Sequence, residues 1–152
     1  MPSVPPAPQL PQQALQEIFS YPDPNRPLDP TNKFSNALRL EFFGSKIALA
    51  VYTNVIRDLW PGATRAQLQA STTPPICAMT TTGFQTFMER TANAYQWRHQ
   101  VNGPYPPNVN PQSAEEAHRI FYTYTGAICV HYDSEGFARV QNWFADLKSA
   151  GL

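Results

Sequence analysis

Apolar residues recur three and four positions apart along most of this chain, which is the spacing of an α-helix with a buried face. The longest such stretch runs from Asn32 to Trp60, contains no proline and ends at Pro61-Gly62. Because apolar residues cover most of its circumference, this stretch predicts a helix at the centre of a bundle.

Capping signals mark the helices that follow. Residues 64–67 and 113–116 have the Ser/Thr-x-x-Gln/Glu spacing of a capping box. We expect a short helix from the first box to about Ser71 and a long helix from the second box to about Val130. The pair Asp133-Ser134 is expected to cap the last helix.

Two further helical pieces are predicted over 76–81 and 84–97. No segment alternates apolar and polar residues as a half-buried strand does, so the 152 residues predict an all-α fold of six or seven helices. The loop at 102–112 has the length of a functional lid or of a plain connector.

Proline is concentrated at the N-terminus, where nine of the 16 prolines fall within the first 30 residues. Residues 1–9 contain too little apolar surface to fold alone and are expected to be extended or disordered. A short amphipathic helix should follow and dock on the body or on a second copy. We therefore divide the chain into a proline-rich arm, 1–30, and a helical domain, 31–150.

Charge limits the partners of this protein. Lys plus Arg and Asp plus Glu each number 11, and charged residues make up 14% of the chain. Without a basic excess, binding of nucleic acid through its phosphates is disfavoured. No apolar run approaches the roughly 20 residues that span a bilayer, and the N-terminus lacks a targeting pattern. We expect an intracellular protein, most simply a cytoplasmic one, without a membrane segment.

Metal and cofactor signals are weak. Cys77 and Cys129 lie in apolar contexts and are expected to be two buried thiols, with a disulfide or metal site as the alternative. The histidines His99, His118 and His131 lack metal-ligand spacing, and no Gly-rich phosphate loop is present. The sequence therefore predicts neither a metal ion nor a cofactor.

Two segments resemble the ribonuclease III domain family. Residues 38–51, LRLEFFGSKIALAV, are similar to the family signature E-R-L-E-F-L-G-D-A-V-L. Residues 126–136 are similar to the closing E-A-x-x-G-A-x-Y-x-D-x-G through the Gly-Ala pair, the aspartate and the last glycine. Residues 59–68 resemble the F-P-x-x-x-x-G-x-L connection, so the resemblance covers about 30–148.

The resemblance implies a RNase III-like domain that pairs into a homodimer, in which four acidic residues hold divalent ions that hydrolyse duplex RNA. At those four positions this chain has Glu41, Ser45, Arg119 and Tyr122, and the additional acid that often opens the first motif is Leu38. One carboxylate remains, and a guanidinium repels a metal ion. The resemblance thus implies a degenerate member without metal-dependent nuclease activity.

The four altered positions are expected to share one cleft, because Glu41 and Ser45 are four apart and Arg119 and Tyr122 are three apart. One interpretation is a closed Glu41–Arg119 ion pair, with Ser45 and Tyr122 completing its hydrogen bonds. The other is a repurposed catalytic pocket, with Glu41 as base and Tyr122 as proton donor. Arg119 would then clamp an anion, and the adjacent His118 would be a spare acid or base.

Three functions stay open. The first is a dimeric binding or scaffold module, which suits the surplus of Phe and Leu on the signature helix and the arm's fitness to wrap a partner. The second is a metal-independent lyase, isomerase or cyclase that acts on a small organic molecule. The third, binding of duplex RNA by shape, is opposed by the missing basic face. We expect the first.

Overall fold

The chain folds into a bundle of α-helices, seen in a computed structural model that describes residues 3–69 and 81–152. Within those ranges there is no β-strand, and an isolated bridge joins Ser20 to Asn102. The predicted all-α class is confirmed. The helices are α1 Gln12–Ile18, α2 Ala37–Leu59, α3 Arg65–Gln69, α4 Thr81–Ala94, α5 Ala114–Tyr132 and α6 Gly136–Ser149, with 3-10 turns at Trp97–Gln100 and Asp133–Glu135.

Helix α5 lies at the centre of the bundle and contacts α1, α2, α4 and α6. The sequence assigned that place to α2, and this prediction is wrong. Helix α2 buries one face, built on Leu40, Gly44 and Ala48, and leaves large apolar side chains on the other. Phe42 and Leu49 are 60% and 53% exposed. Apolar residues cover most of the circumference of α2, but only one face of the helix is buried.

Helices α2 and α5 meet backbone to backbone at a pair of glycines. A Cβ atom on Gly44 would lie 1.7 Å from the carbonyl oxygen of Tyr122, and one on Gly126 would lie 2.0 Å from that of Leu40. No side chain fits at such distances, so each glycine lets the other helix approach. This crossing fixes the position of both helices that carry candidate site residues.

The two predicted capping boxes form to different extents. In the first, the Thr64 N–H donates to Gln67 Oε1 at 2.8 Å and the Gln67 N–H donates to Thr64 Oγ1 at 3.2 Å. In the second, the Glu116 N–H donates to Ser113 Oγ at 3.2 Å. The Glu116 carboxylate does not return to Ser113, because Arg119 holds it.

Two predicted helix starts are corrected. Helix α2 begins at Ala37 instead of Asn32, because Asn36 has a positive φ of 76° and its side chain accepts a hydrogen bond from the Leu38 N–H. The prediction that Asp133-Ser134 caps the last helix is wrong. These residues form the 3-10 turn, and α6 begins at Gly136 without a side-chain cap.

Other predicted boundaries shift or cannot be compared. The piece predicted over 84–97 appears as α4, Thr81–Ala94, followed by the 3-10 turn. The piece predicted over 76–81, the predicted end near Ser71 and the residue Cys77 lie outside the described residues, except for Thr81. In the described part, no helix has the length and hydropathy required to cross a membrane.

The proline-rich arm lies against the bundle. Residues 3–11 form neither helix nor strand, and Pro11 has an extended backbone. Helix α1 follows and docks on α5 of its own chain, with Ala14 and Ile18 fully buried. The side chains of α1 therefore belong to the same apolar core as those of α5.

Candidate functional site

A cleft of about 550 Å³ opens beside the N-terminal half of α5. Arg119 of α5 and Glu41 of α2 both line it, so two of the four altered positions lie together as expected. Two loops close its sides. The other lining residues are Tyr21, Pro22, Leu38, Asn108, Val109, Asn110, Ser113, Glu115 and Glu116.

Ser45 and Tyr122 line a different cavity, of about 250 Å³, between α2 and α4. The Ser45 hydroxyl donates to the carbonyl of Phe42 at 2.8 Å, within its own helix. Burial raises the pKa of the Tyr122 phenol, and the negative charge of Glu41 raises it further. The expectation of one shared cleft is therefore corrected: the four positions divide between two cavities.

Arg119 is held by Glu116, not by Glu41. Arg119 Nε donates to Glu116 Oε2 at 2.8 Å and Nη2 donates to Oε1 at 2.6 Å, in a two-pronged ion pair. The residues are 8% and 3% exposed. The predicted Glu41–Arg119 pair is wrong, because Glu116 stands three residues before Arg119 on the same helix and reaches it first.

Two loop tyrosines complete this ion pair. The Tyr105 hydroxyl donates to Glu116 Oε1 at 2.9 Å, and the Tyr21 ring lies 5.5 Å from the Arg119 guanidinium carbon. Burial raises the pKa of Tyr105 to about 12, and its hydrogen bond to Glu116 adds to the rise. The phenol therefore stays protonated and remains a donor. Sequence reasoning missed Glu116, Tyr21 and Tyr105 as members of this site.

Two polar groups of the cleft are left without partners. Arg119 Nη1 is buried and makes no hydrogen bond. Burial raises the pKa of the Glu41 carboxyl, against the opposing effect of the Arg119 charge. Among the described residues, none forms a hydrogen bond or an ion pair with that carboxyl. The cleft thus offers a ligand one guanidinium N–H and one carboxyl group.

His118 lies apart from both cavities. Its Nε2 is 3.1 Å from Glu89 Oε1 on α4, and its side chain is mostly buried. Neighbouring side chains on a helix point about 100° apart, so His118 faces α4 whereas Arg119, the next residue, faces the cleft. His118 is therefore not placed to exchange a proton with a ligand beside Arg119.

The described residues contain no group of three or more His, Cys, Asp or Glu side chains arranged to hold a metal ion. Cys129 is a half-buried free thiol, and burial raises its pKa to about 11. At neutral pH this thiol is protonated and a poor nucleophile.

Comparisons with models of protein families, with curated proteins and with solved structures found no match for this chain. None of these comparisons supports the likeness to the ribonuclease III family, which was drawn from the sequence motifs. The homodimer, the loss of nuclease activity and the scaffold role all depend on that likeness.

Proposed function

We propose that this chain is a RNase III-like domain that has lost metal-dependent nuclease activity and acts as a dimeric binding or scaffold module. The observation that carries the proposal is the Arg119–Glu116 ion pair. By the resemblance, Arg119 takes the position of a metal-binding acid, and its ion pair neutralises the buried carboxylate of Glu116. A pair of divalent ions needs several free carboxylate oxygens, which this arrangement does not provide.

The glycine crossing supports the assignment of the fold. Gly44 belongs to the first motif and Gly126 to the second, and the two meet where α2 and α5 touch. A physical requirement for close approach thus accounts for a glycine in each motif. The two motifs are distant in sequence, so their contact in the folded chain is an observation independent of the residue matches that define them.

The exposed face of α2 supports the dimer. Several large apolar side chains of α2 are exposed to solvent, and exposed apolar patches usually mark contact surfaces. A second copy can cover them by packing its own α2 against this one, as a two-fold interface requires. The exposed residues of this face are Leu38, Phe42, Phe43 and Leu49.

Sedimentation tests the dimer. We expect a dimer for the native chain and a monomer for the Phe42→Glu/Leu49→Glu variant. Leu28→Glu is the matched control, because Leu28 is 57% exposed but is not part of α2, and this variant should remain dimeric. A native chain that sediments as a monomer at about 100 μM would refute the dimer.

Duplex RNA incubated with Mg²⁺ or Mn²⁺ tests the loss of nuclease activity, with an active ribonuclease III as positive control. We expect no metal-dependent cleavage. Cleavage that a metal chelator abolishes, and that the Glu41→Gln variant also fails to show, would contradict the proposal. Requiring both effects separates the activity of this chain from that of a contaminant.

A second candidate function is binding or conversion of a small organic molecule, without metal, in the Arg119 cleft. The buried, unpartnered Nη1 of Arg119 favours it, because a buried donor without an acceptor is costly. A neutral ligand with a carbonyl for Arg119 and a hydroxyl for Glu41 fits both free groups. Mass spectrometry of the native, freshly purified chain should then detect a bound compound that Glu41→Gln releases.

A further inference from the structure

The proline-rich arm shows a three-residue pattern of burial. Within residues 3–11, every third position is exposed, and the positions between them are half-buried except near the end of the arm at Val4. The exposed series is Ser3, Pro6 and Gln9, and the half-buried residues are Pro5, Ala7, Pro8, Leu10 and Pro11.

This period matches that of a polyproline II helix, which has three residues per turn and no internal hydrogen bonds. Proline fixes φ near the required value, and Pro11 has φ −66° and ψ 157°. An arm of this shape presents three edges. Here two edges face the bundle and one faces water.

Three tyrosines of the bundle bind the backbone of the arm. The hydroxyl of Tyr95 donates to the Pro5 carbonyl at 2.5 Å, and that of Tyr124 donates to the Pro8 carbonyl at 2.8 Å. Pro5 and Pro8 are one polyproline II turn apart, so these two bonds recognise the pitch of the helix. A third bond, at 2.9 Å, joins the Tyr132 hydroxyl to the carbonyl of Gln9.

We define the aromatic groove as Tyr95, Trp97, Tyr124, Tyr132 and Trp143. The second, third and fifth of these belong to the buried core, and the other two pack against it. The Trp97 ring stacks against Tyr95 and Tyr124, with centroids 5.1 and 4.6 Å apart. The Trp143 indole N–H donates to the Tyr95 hydroxyl at 3.0 Å and so orients it. Burial raises the pKa of Tyr95 and Tyr124, which keeps both as donors.

We propose that the aromatic groove is a binding site for proline-rich protein segments, with the chain's own residues 3–11 as its resident ligand. Its hydrogen bonds go to backbone carbonyls, two of them three residues apart, so they select the extended shape that proline favours instead of one particular sequence. A Pro-x-x-Pro segment of a partner can make the same contacts when it displaces the arm. The proposal does not depend on the family assignment or on the Arg119 cleft.

A labelled peptide with the sequence of residues 3–11, SVPPAPQLP, tests competition with the arm in the full chain. The arm lowers the fraction of open grooves, so weakening its docking should tighten peptide binding. We expect Pro8→Ala to lower the apparent Kd about fivefold, because it removes half-buried ring atoms from the groove. Pro6→Ala is the matched control, since it removes the same ring from the exposed edge, and its Kd should stay near that of the native chain.

The Trp143 indole N–H resonance locates the bound peptide, because that group points at Tyr95 inside the groove. In the Pro8→Ala chain, whose arm docks more weakly, the resonance should move towards its native position on addition of the peptide. It should not move with a peptide of the same composition in which no two prolines are three residues apart. Adding Tyr132→Phe to Pro8→Ala should weaken binding about threefold through loss of one hydrogen bond.

Three outcomes would overturn the proposal. One is a folded Pro8→Ala chain that binds no peptide at millimolar concentration. Another is equal binding of both peptides. The third is an arm that leaves the groove only to enter that of a second copy, seen as dimers that Pro8→Ala abolishes while the peptide fails to bind.

Discussion

The glycine crossing gives the sharpest test of how this fold is held together. Gly44→Ala adds one methyl group 1.7 Å from the carbonyl oxygen of Tyr122. Ordinary contacts begin near 3.4 Å. The obstacle is helix backbone, which cannot rotate away as a side chain does, so α2 and α5 must move apart by more than an ångström.

The cost follows from that displacement. Alanine in place of glycine favours a helix by about 1 kcal/mol. A gap of 0.5 to 1 Å already removes about a quarter to a half of the dispersion attraction between facing atoms. The α2–α5 contact is the most extensive in the described bundle. We therefore expect a net loss of about 3 kcal/mol or more, at the upper end for overpacked sites.

Urea unfolding, followed by tryptophan fluorescence and far-ultraviolet circular dichroism, measures this loss. Gly62→Ala is the matched control, because nothing lies within 4 Å of its added Cβ. We expect Gly62→Ala to stay within about 1 kcal/mol of the native chain. If Gly44→Ala also does so, then α2 and α5 do not cross as described and the reasoning fails.

Three further predictions concern buried groups. Glu116→Gln should lower the free energy of unfolding by about 3 kcal/mol, because it leaves the Arg119 charge uncompensated, and replacing both residues with leucine should recover most of it in the same urea assay. Burial raises the pKa of Glu41, so the folded state binds the carboxyl proton more tightly than the unfolded chain does. The stability that Glu41 contributes is therefore lost as the pH rises from the ordinary pKa of 4.5 through the folded value. Glu41→Gln should remove this loss, so its advantage over the native chain in urea unfolding should grow across that range; an advantage that shrinks contradicts the burial of Glu41. Burial also raises the pKa of Cys129 to about 11, so at pH 8 iodoacetamide should label it about 100-fold more slowly than in the unfolded chain, as peptide mass spectrometry would report.

The sequence predicted the presence of the helices better than the way they pack against one another. Local signals, such as the capping box at 64–67 and the long apolar stretch that became α2, depend on neighbours a few residues away. The start of α2 was wrong because Asn36 adopts a left-handed backbone that no propensity reveals. The central place of α5 was missed because it depends on which helix faces carry small residues, and those matter only once two helices meet.

The candidate site was predicted less well than the fold. Helical spacing placed Glu41 and Arg119 beside one cleft, as the structure has them. The same spacing also pairs Glu116 with Arg119, three residues later. The sequence therefore indicated this ion pair, but the resemblance to the family directed attention to Glu41 instead. Tyr21 and Tyr105 come from loops far apart in sequence, so no pattern could bring them to the ion pair.

The central position of α5 also has a consequence for synthesis on the ribosome. Helix α2 is complete at Leu59, whereas α5 begins only at Ala114. At translation rates of roughly 5 to 20 residues per second, α2 therefore waits several seconds with both of its apolar faces uncovered. Until α5 emerges, the nascent chain is a natural client for a chaperone that shields apolar helices.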